Sequence, residues 1–290
     1  MPEAFYLPDP SDQYRFESTE LTRGGWSSDS QHAGLPAALL GHALETFHPR
    51  TGFQIGRMSV EILGPIPIEP LSVRTRVVRT GRSVELLEGV LAGGRGAVMT
   101  AQAWRFRLAE DPLDLPAEFV PTGQLRGPNT VAEQDSFLAT HTTGFHAGIE
   151  FRFIAGSFAT PGAGTCWIRL RYPVVAGTTP SPLERTLVAA DSANGIGSVL
   201  DWSKPRIDSD YLFINTDLTV NLHRPPEGEW VCVDAVPLTQ RHGIGLMDSA
   251  LFDVTGPLGR ATQTLFIGHR RGARPGNVIG PEASIRDLAG

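Results

Sequence analysis

A chain of 290 residues, 41% hydrophobic and 19% charged, has apolar material for one large globular domain or two ordinary ones. Its formal net charge is −6, Lys204 is the only lysine and no dense basic run occurs, which excludes the electrostatic footprint of a nucleic-acid partner. No stretch approaches the ~20 consecutive apolar residues of a membrane span. Met1 to Tyr14 has neither a cationic start nor an apolar leader core, so a cytoplasmic protein is expected. Cys166 and Cys232 are too few for a disulfide framework and lack ligand-like neighbours at metal spacing, so they read as reduced core thiols.

In chain order, a short strand around Tyr14 to Leu21 comes first. Gly34 to Phe47 follows, with Leu35, Leu39, Leu40, Ala43, Leu44 and Phe47 at three- and four-residue steps; this is an apolar helix that tolerates Pro36 in its first turn. Met58 to Leu63, Leu71 to Val78, Val84 to Leu91 and Ala97 to Phe106 have strand character and are separated by Gly-Pro or Gly-Gly turns. Leu108 to Thr143, with Asp-Pro-Leu-Asp-Leu-Pro and Arg-Gly-Pro-Asn, reads as an irregular linker. The second half then repeats the first. Strands Ile149 to Ile154 and Cys166 to Tyr172 precede a helix from Pro182 to Leu200. After that come strands Phe213 to Leu222, Trp230 to Leu238, Gly245 to Val254 and Arg260 to Ile267. The tail after His269 lacks periodicity and reads as loose.

Three pairs of positions recur at nearly one spacing: Pro65 and Pro225 (225 − 65 = 160), Gly94 and Gly256 (162), and Gln102 and Gln263 (161). A repeat of this size is a domain duplication. The expected division is residues 1–107, a linker at 108–143, a second unit at 144–268 and a tail at 269–290. A helix this apolar needs an antiparallel sheet curled around it, giving an α+β fold; two such units can pair edge to edge and leave an apolar tunnel between their helices.

The chain also resembles a known family. The block Asn215-Thr-Asp-Leu-Thr-Val-Asn-Leu-His-Arg-Pro225, the stretch Gln31-His32-Ala33-Gly34-Leu-Pro-Ala-Ala-Leu after Trp26, and Gly256-Pro-Leu-Gly-Arg-Ala-Thr-Gln263-Thr-Leu are similar to motifs of the acyl-CoA thioesterase II family, specifically its thioesterase-like branch. The resemblance runs from about Phe5 to Ile267. It implies a double hot-dog fold, an acyl-CoA or similar thioester as substrate, and a homo-oligomer. It also implies a triad of Asp, a hydroxyl or amide residue, and Gln; these correspond to Asp191, to Asn215 with Thr216 beside it, and to Gln263.

The residues themselves say how such a site would work. Asp191 is an ionisable group in an otherwise apolar helix, and burying a carboxylate costs several kcal/mol unless it is hydrogen-bonded. One repeat earlier stands uncharged Gln31 (191 − 160 = 31), so only the second half carries a plausible base. The Gly34 amide, at a helix N-terminus, is the candidate oxyanion donor. His32 before it reads as a packing or capping residue, and Gln31 is grouped with them near substrate. His223 and Arg224 read as strand-end residues, and the tryptophans as core or interface. No Gly-x-Ser-x-Gly elbow, His-Glu-x-x-His or phosphate loop occurs, so neither a serine nucleophile nor a metal or nucleotide cofactor is expected. A non-catalytic acyl-binding pair is the alternative from another class, and a hot-dog hydratase lacks its Asp–His spacing.

Overall fold

The structure is a computed structural model, and it describes residues 3–24, 29–133, 144–199 and 211–269. The expected tail, Trp26 and Trp202, the last linker residues and Leu200 at the end of the second helix lie outside these.

The first half consists of β1 (Tyr6–Asp9), β2 (Asp12–Ser18), α1 (Gly34–Thr46), β3 (Phe53–Ile62), β4 (Leu71–Arg79), β5 (Val84–Gly93) and β6 (Gly96–Arg107). The second comprises the one-turn α2 (Phe145–Gly148), β7 (Ile149–Ser157), β8 (Thr160–Leu170), α3 (Pro182–Asp191), the one-turn α4 (Ala193–Ile196), β9 (Tyr211–Asn215), β10 (Asp217–Leu222), β11 (Val231–Thr239), β12 (Ile244–Asp253) and β13 (Gly256–His269). One sheet holds them all, in the order β1-β2-β4-β5-β6-β3-β10-β13-β12-β11-β8-β7, with β9 beside β13. That order reads the same from either end once the halves are matched. The seam is the antiparallel pair β3–β10, where Val60 faces Leu218 and Met58 faces Val220. Pairing there removes two unsatisfied sheet edges, as expected from the duplication.

The repeat has one offset through the strands. Leu91 faces Met99 and Ala92 faces Ala97 across a bulge; 160 residues later Leu251 faces Gly259 and Phe252 faces Pro257 across the same bulge. Gly256 therefore matches Gly96 rather than Gly94, and both adopt positive φ (140° and 119°) where a hairpin turns. Gln263 likewise matches Ala103 rather than Gln102: both point inward and are buried, whereas Gln102 is exposed.

α1 is buried nearly all round, with Leu35, Leu39, Leu40 and Leu44 fully covered by the curled sheet and by α3. α3 begins where Ser181 Oγ accepts from the Glu184 amide and Pro182 occupies the first turn. It is shorter than expected: Ser192 Oγ turns back to the Val188 carbonyl, and the chain leaves the helix at Asp191 before the brief α4. The helices run antiparallel and in contact. A Cβ on Gly41 would sit 2.7 Å from Leu187 Cδ1, so the expected tunnel is closed at its centre.

The strand expected over Phe213 to Leu222 is broken at Thr216. Asn215 pairs with Leu265 but Thr219 with Thr262, a slip of one residue. Inward positions run Phe213, Asn215, then Leu218 and Val220, so the extra residue, Thr216, faces outward. β3 carries the matching slip at Gly56, between Ile55 and Arg57.

The linker through residue 133 has only short 3-10 turns at Ala117–Phe119 and Pro128–Thr130. Its later part covers the outer face of the sheet in the second half, where Trp167 Nε1 donates to the Arg126 carbonyl at 2.7 Å and Trp230, Cys232, Leu125 and Val131 form a second small core. Cys166 lies in the main core on the other face, so the two thiols point to opposite sides of the sheet. Burial pushes both thiols well above their ordinary range.

Candidate active site

Asp191 ends α3 directly beneath the N-terminus of α1. A Cβ on Gly34 would fall 3.0 Å from Asp191 Cβ and 3.2 Å from its Oδ2, so only glycine lets the helix start come this close. The carboxylate is 2% exposed and sits in a ring of donors. Asn215 Nδ2 donates to Oδ1 at 2.8 Å from the end of β9, and Gln263 Nε2 donates to the same oxygen at 3.0 Å from the middle of β13. His32 Nδ1 lies 3.0 Å from Oδ2. Each bond goes to a charged acceptor, the arrangement that makes a buried carboxylate tolerable.

The hydrogen-bond directions follow from donor chemistry. Gln263 presents its nitrogen to the carboxylate, so its Oε1 points away; that oxygen is buried and has no hydrogen-bond partner among the described residues. By the same logic His32 donates from Nδ1 to the carboxylate. The Gly34 amide points at the same Nδ1 from 3.3 Å. A protonated Nδ1 cannot accept that bond, so the amide is available to another acceptor. α1 has no side-chain cap at Ala33 either. Phe145 of α2 stacks on the His32 ring, with centroids 3.6 Å apart and planes 6° from parallel, and this fixes the imidazole in place.

The structure thus brings together Asp191, Asn215, Gln263, His32 and Gly34. It does not bring in the two others. Thr216 is exposed on the opposite face, its hydroxyl 3.4 Å from Asp217 Oδ1 and from the Thr264 carbonyl, because the bulge turns it outward. Gln31 is buried elsewhere with its bonds complete: Tyr6 Oη donates to its Oε1 at 2.6 Å, and its Nε2 donates to Ser18 Oγ and the Pro67 carbonyl. Gln31 is also not the counterpart of Asp191, because the helices follow a different offset from the strands. The sequence places His32 near substrate with Gly34, in a packing or capping role, without indicating that it meets Asp191. A polar ring just before an uncapped helix start was the available signal, but its partner lies 159 residues away in sequence (191 − 32 = 159). Phe145 carried no signal. Among the described residues no cluster of His, Cys, Asp or Glu could hold a metal, and no helix is long and apolar enough to cross a membrane.

Known proteins agree with this architecture. A family described as the acyl-CoA thioesterase N-terminal domain matches residues 22–106, and one described as the acyl-CoA thioesterase C-terminal domain matches residues 122–267. No curated protein matches significantly. Among solved structures, a candidate thioesterase II from Thermobifida fusca superposes with a TM-score of 0.68 at 16% identity, over 91% of this chain and 95% of the other. A conserved hot-dog protein from Alicyclobacillus acidocaldarius gives 0.67 at 16% identity, over 89% and 95%. Acyl-CoA thioesterase II TesB2 from Mycobacterium marinum gives 0.59 at 15%, over 91% and 95%. With both family domains spanning most of its length and a double hot-dog fold, this chain belongs to the acyl-CoA thioesterase family and is a thioester hydrolase.

Proposed function

We propose that the chain hydrolyses acyl-CoA thioesters with a water activated at Asp191. The observation that carries this reading is the buried, unpartnered Oε1 of Gln263 beside a carboxylate whose Oδ1 is fully engaged. A water entering there donates one hydrogen to Gln263 Oε1 and the other to Asp191 Oδ2, which turns its lone pair toward a substrate carbonyl. The thioester oxygen sits at the start of α1 and accepts from the Gly34 amide, where the helix dipole favours developing negative charge. As the water oxygen bonds to the carbonyl carbon, its proton passes to Asp191. The tetrahedral intermediate then expels the CoA sulfur, which takes that proton back. No covalent enzyme intermediate is needed. Asn215 and the Gln263 amide nitrogen hold Oδ1, and His32 anchors Oδ2 from the side.

Asp191→Asn tests this reading. A loss of about 10²- to 10⁴-fold in thiol release across a panel of acyl-CoA chain lengths, with the fold intact by circular dichroism, is the expected result. Hydrolysis within a few-fold of wild type would end the proposal. Thr216→Ala is the control and should stay near wild type.

Two further points belong to the same proposal. The cytoplasm suits two buried thiols that face opposite sides of the sheet and cannot pair with each other. Self-association is supported by the outer face of β11, β12 and β13, where Leu238, Ile244, Leu246 and Phe266 are exposed side by side.

A further inference from the structure

The strands of the two halves correspond at an offset of 160, and the helix starts, Gly34 and Pro182, at 148 (182 − 34). The second half inserts twelve more residues between helix and strand (160 − 148 = 12). Carried through these offsets, every group of the catalytic constellation has a counterpart in the other half. Asp191 corresponds to Ala43, Asn215 to Ile55, Gln263 to Ala103, Gly34 to Pro182 and His32 to Pro180. All five hydrogen-bonding groups are replaced: three become aliphatic side chains, and the amide donor becomes a proline nitrogen without a hydrogen.

Because the helices are antiparallel, these counterparts fall at the far end of the helix pair. A cavity of about 310 Å³ lies there, with Ile55 and Pro182 in its lining. Leu44, Phe53, Leu183 and Leu222 add apolar wall, interrupted by the polar side chains of Gln54 and Arg105. This volume falls at the small end of the range for ligand pockets. The repeat has kept the container at this pole and lost the hydrolytic chemistry.

We propose that this cavity is a second acyl-binding site, which holds an aliphatic acyl chain with an anionic head and does not hydrolyse it. The walls suit the chain. Arg50, exposed at the rim with its guanidinium 3.8 Å above the Phe53 ring, donates one N–H to the Gly81 carbonyl at 3.0 Å and lies 3.8 Å from Glu85, which Arg105 also pairs; its remaining N–H groups supply the cation for the head. The carboxyl on the wall, Glu45, opposes an anion only weakly: burial pushes it up to about 7 against the bond it accepts from Ser181 Oγ, so it is partly neutral at neutral pH. The head is the carboxylate of a released acid or the phosphates of a CoA thioester; Arg50 serves both. Only the choice of acyl ligand rests on the proposed substrate. The site itself stands on the cavity and the repeat.

Titration calorimetry on the full chain with S-dodecyl-CoA, a thioether that cannot be hydrolysed, tests the proposal. Leu222→Trp, which fills the cavity, should remove one bound equivalent per chain and leave dodecanoyl-CoA hydrolysis within about twofold of wild type. Competition by dodecanoate for that equivalent assigns the free acid as ligand, and its absence assigns the CoA thioester. Arg50→Glu, which reverses the charge at the rim, should weaken the same equivalent about tenfold, with the fold checked by circular dichroism because Glu85 lies beside it. The proposal is overturned if Leu222→Trp and Arg50→Glu leave the bound equivalents and their affinities unchanged. It is also overturned if Leu222→Trp removes hydrolysis together with binding. Since the thioether reports binding without turnover, an inactive wild type would count against the hydrolytic reading and leave this one standing.

Discussion

At the residue scale, the Arg in the His-Arg-Pro block serves the fold. Arg224 donates from both terminal nitrogens to Asp253, at 2.6 and 2.7 Å, and the amides of Glu227, Thr255 and Gly256 point at the same carboxylate. Burial alone would raise the Asp253 carboxyl, but these bonds outweigh it and hold the group far below its usual range. A depressed carboxyl stabilises the fold above its unfolded pKa of roughly 4 and loses that contribution as pH falls further. Asp253→Ala should therefore cost about 3 kcal/mol in urea unfolding at pH 7, keep most of that cost at pH 3, lose it only in stronger acid, and leave KM unchanged. Glu45 has the opposite sign. Raised to about 7 by burial and by nearby Glu184, it stabilises the folded state at low pH, and that contribution is lost as pH rises from roughly 4.5 through 7. Glu45→Gln should flatten the stability profile over this interval and gain on the order of 2 kcal/mol relative to wild type at pH 8.

At the element scale, the site depends on two backbone features. One is the approach of α1 to Asp191 across Gly34. Gly34→Ala needs the carboxylate or the helix start to shift by a few tenths of an ångström, so kcat should fall about 10- to 100-fold with a stability change under about 1 kcal/mol. Stopped-flow thiol release and thermal unfolding read the two separately. The other feature is the bulge at Thr216, which decides whether Asn215 or Thr216 reaches the carboxylate. Alternation along an unbroken strand from Phe213 to Leu222 would put Asn215 on the face opposite Leu218 and Val220. The strand was legible from its residues, but the slip was not, because a bulge is set by the partners β3 and β13.

At the scale of the whole molecule, the duplication organises everything, and it leaves one pole with hydrogen-bonding groups around Asp191 and the other with Ala43, Ile55 and Ala103 in the corresponding places. It also leaves an outer face with Leu238, Ile244, Leu246 and Phe266 exposed together. If copies associate through this face, Leu238→Glu combined with Phe266→Arg should lower the mass measured by light scattering to that of one chain, without loss of hydrolysis per chain. An unchanged mass would remove that face from consideration.

The order of elements, the repeat and the buried carboxylate were all readable from the chain, because periodicity and an ionisable group inside an apolar helix are local properties. The sequence singles out Asp191, Asn215 and Gln263, which the fold brings together; it points to Thr216 and Gln31 only as their neighbours in sequence, and the fold places both elsewhere. Only the tertiary structure decided which of these meet. The two helices cross antiparallel, so the partner of Asp191 is the start of α1. Side-chain facing then turned on a one-residue slip in a strand, and the pole that keeps its donors was set by a twelve-residue difference between helix and strand offsets. Contacts between residues more than a hundred positions apart depend on packing and register, which no local pattern encodes.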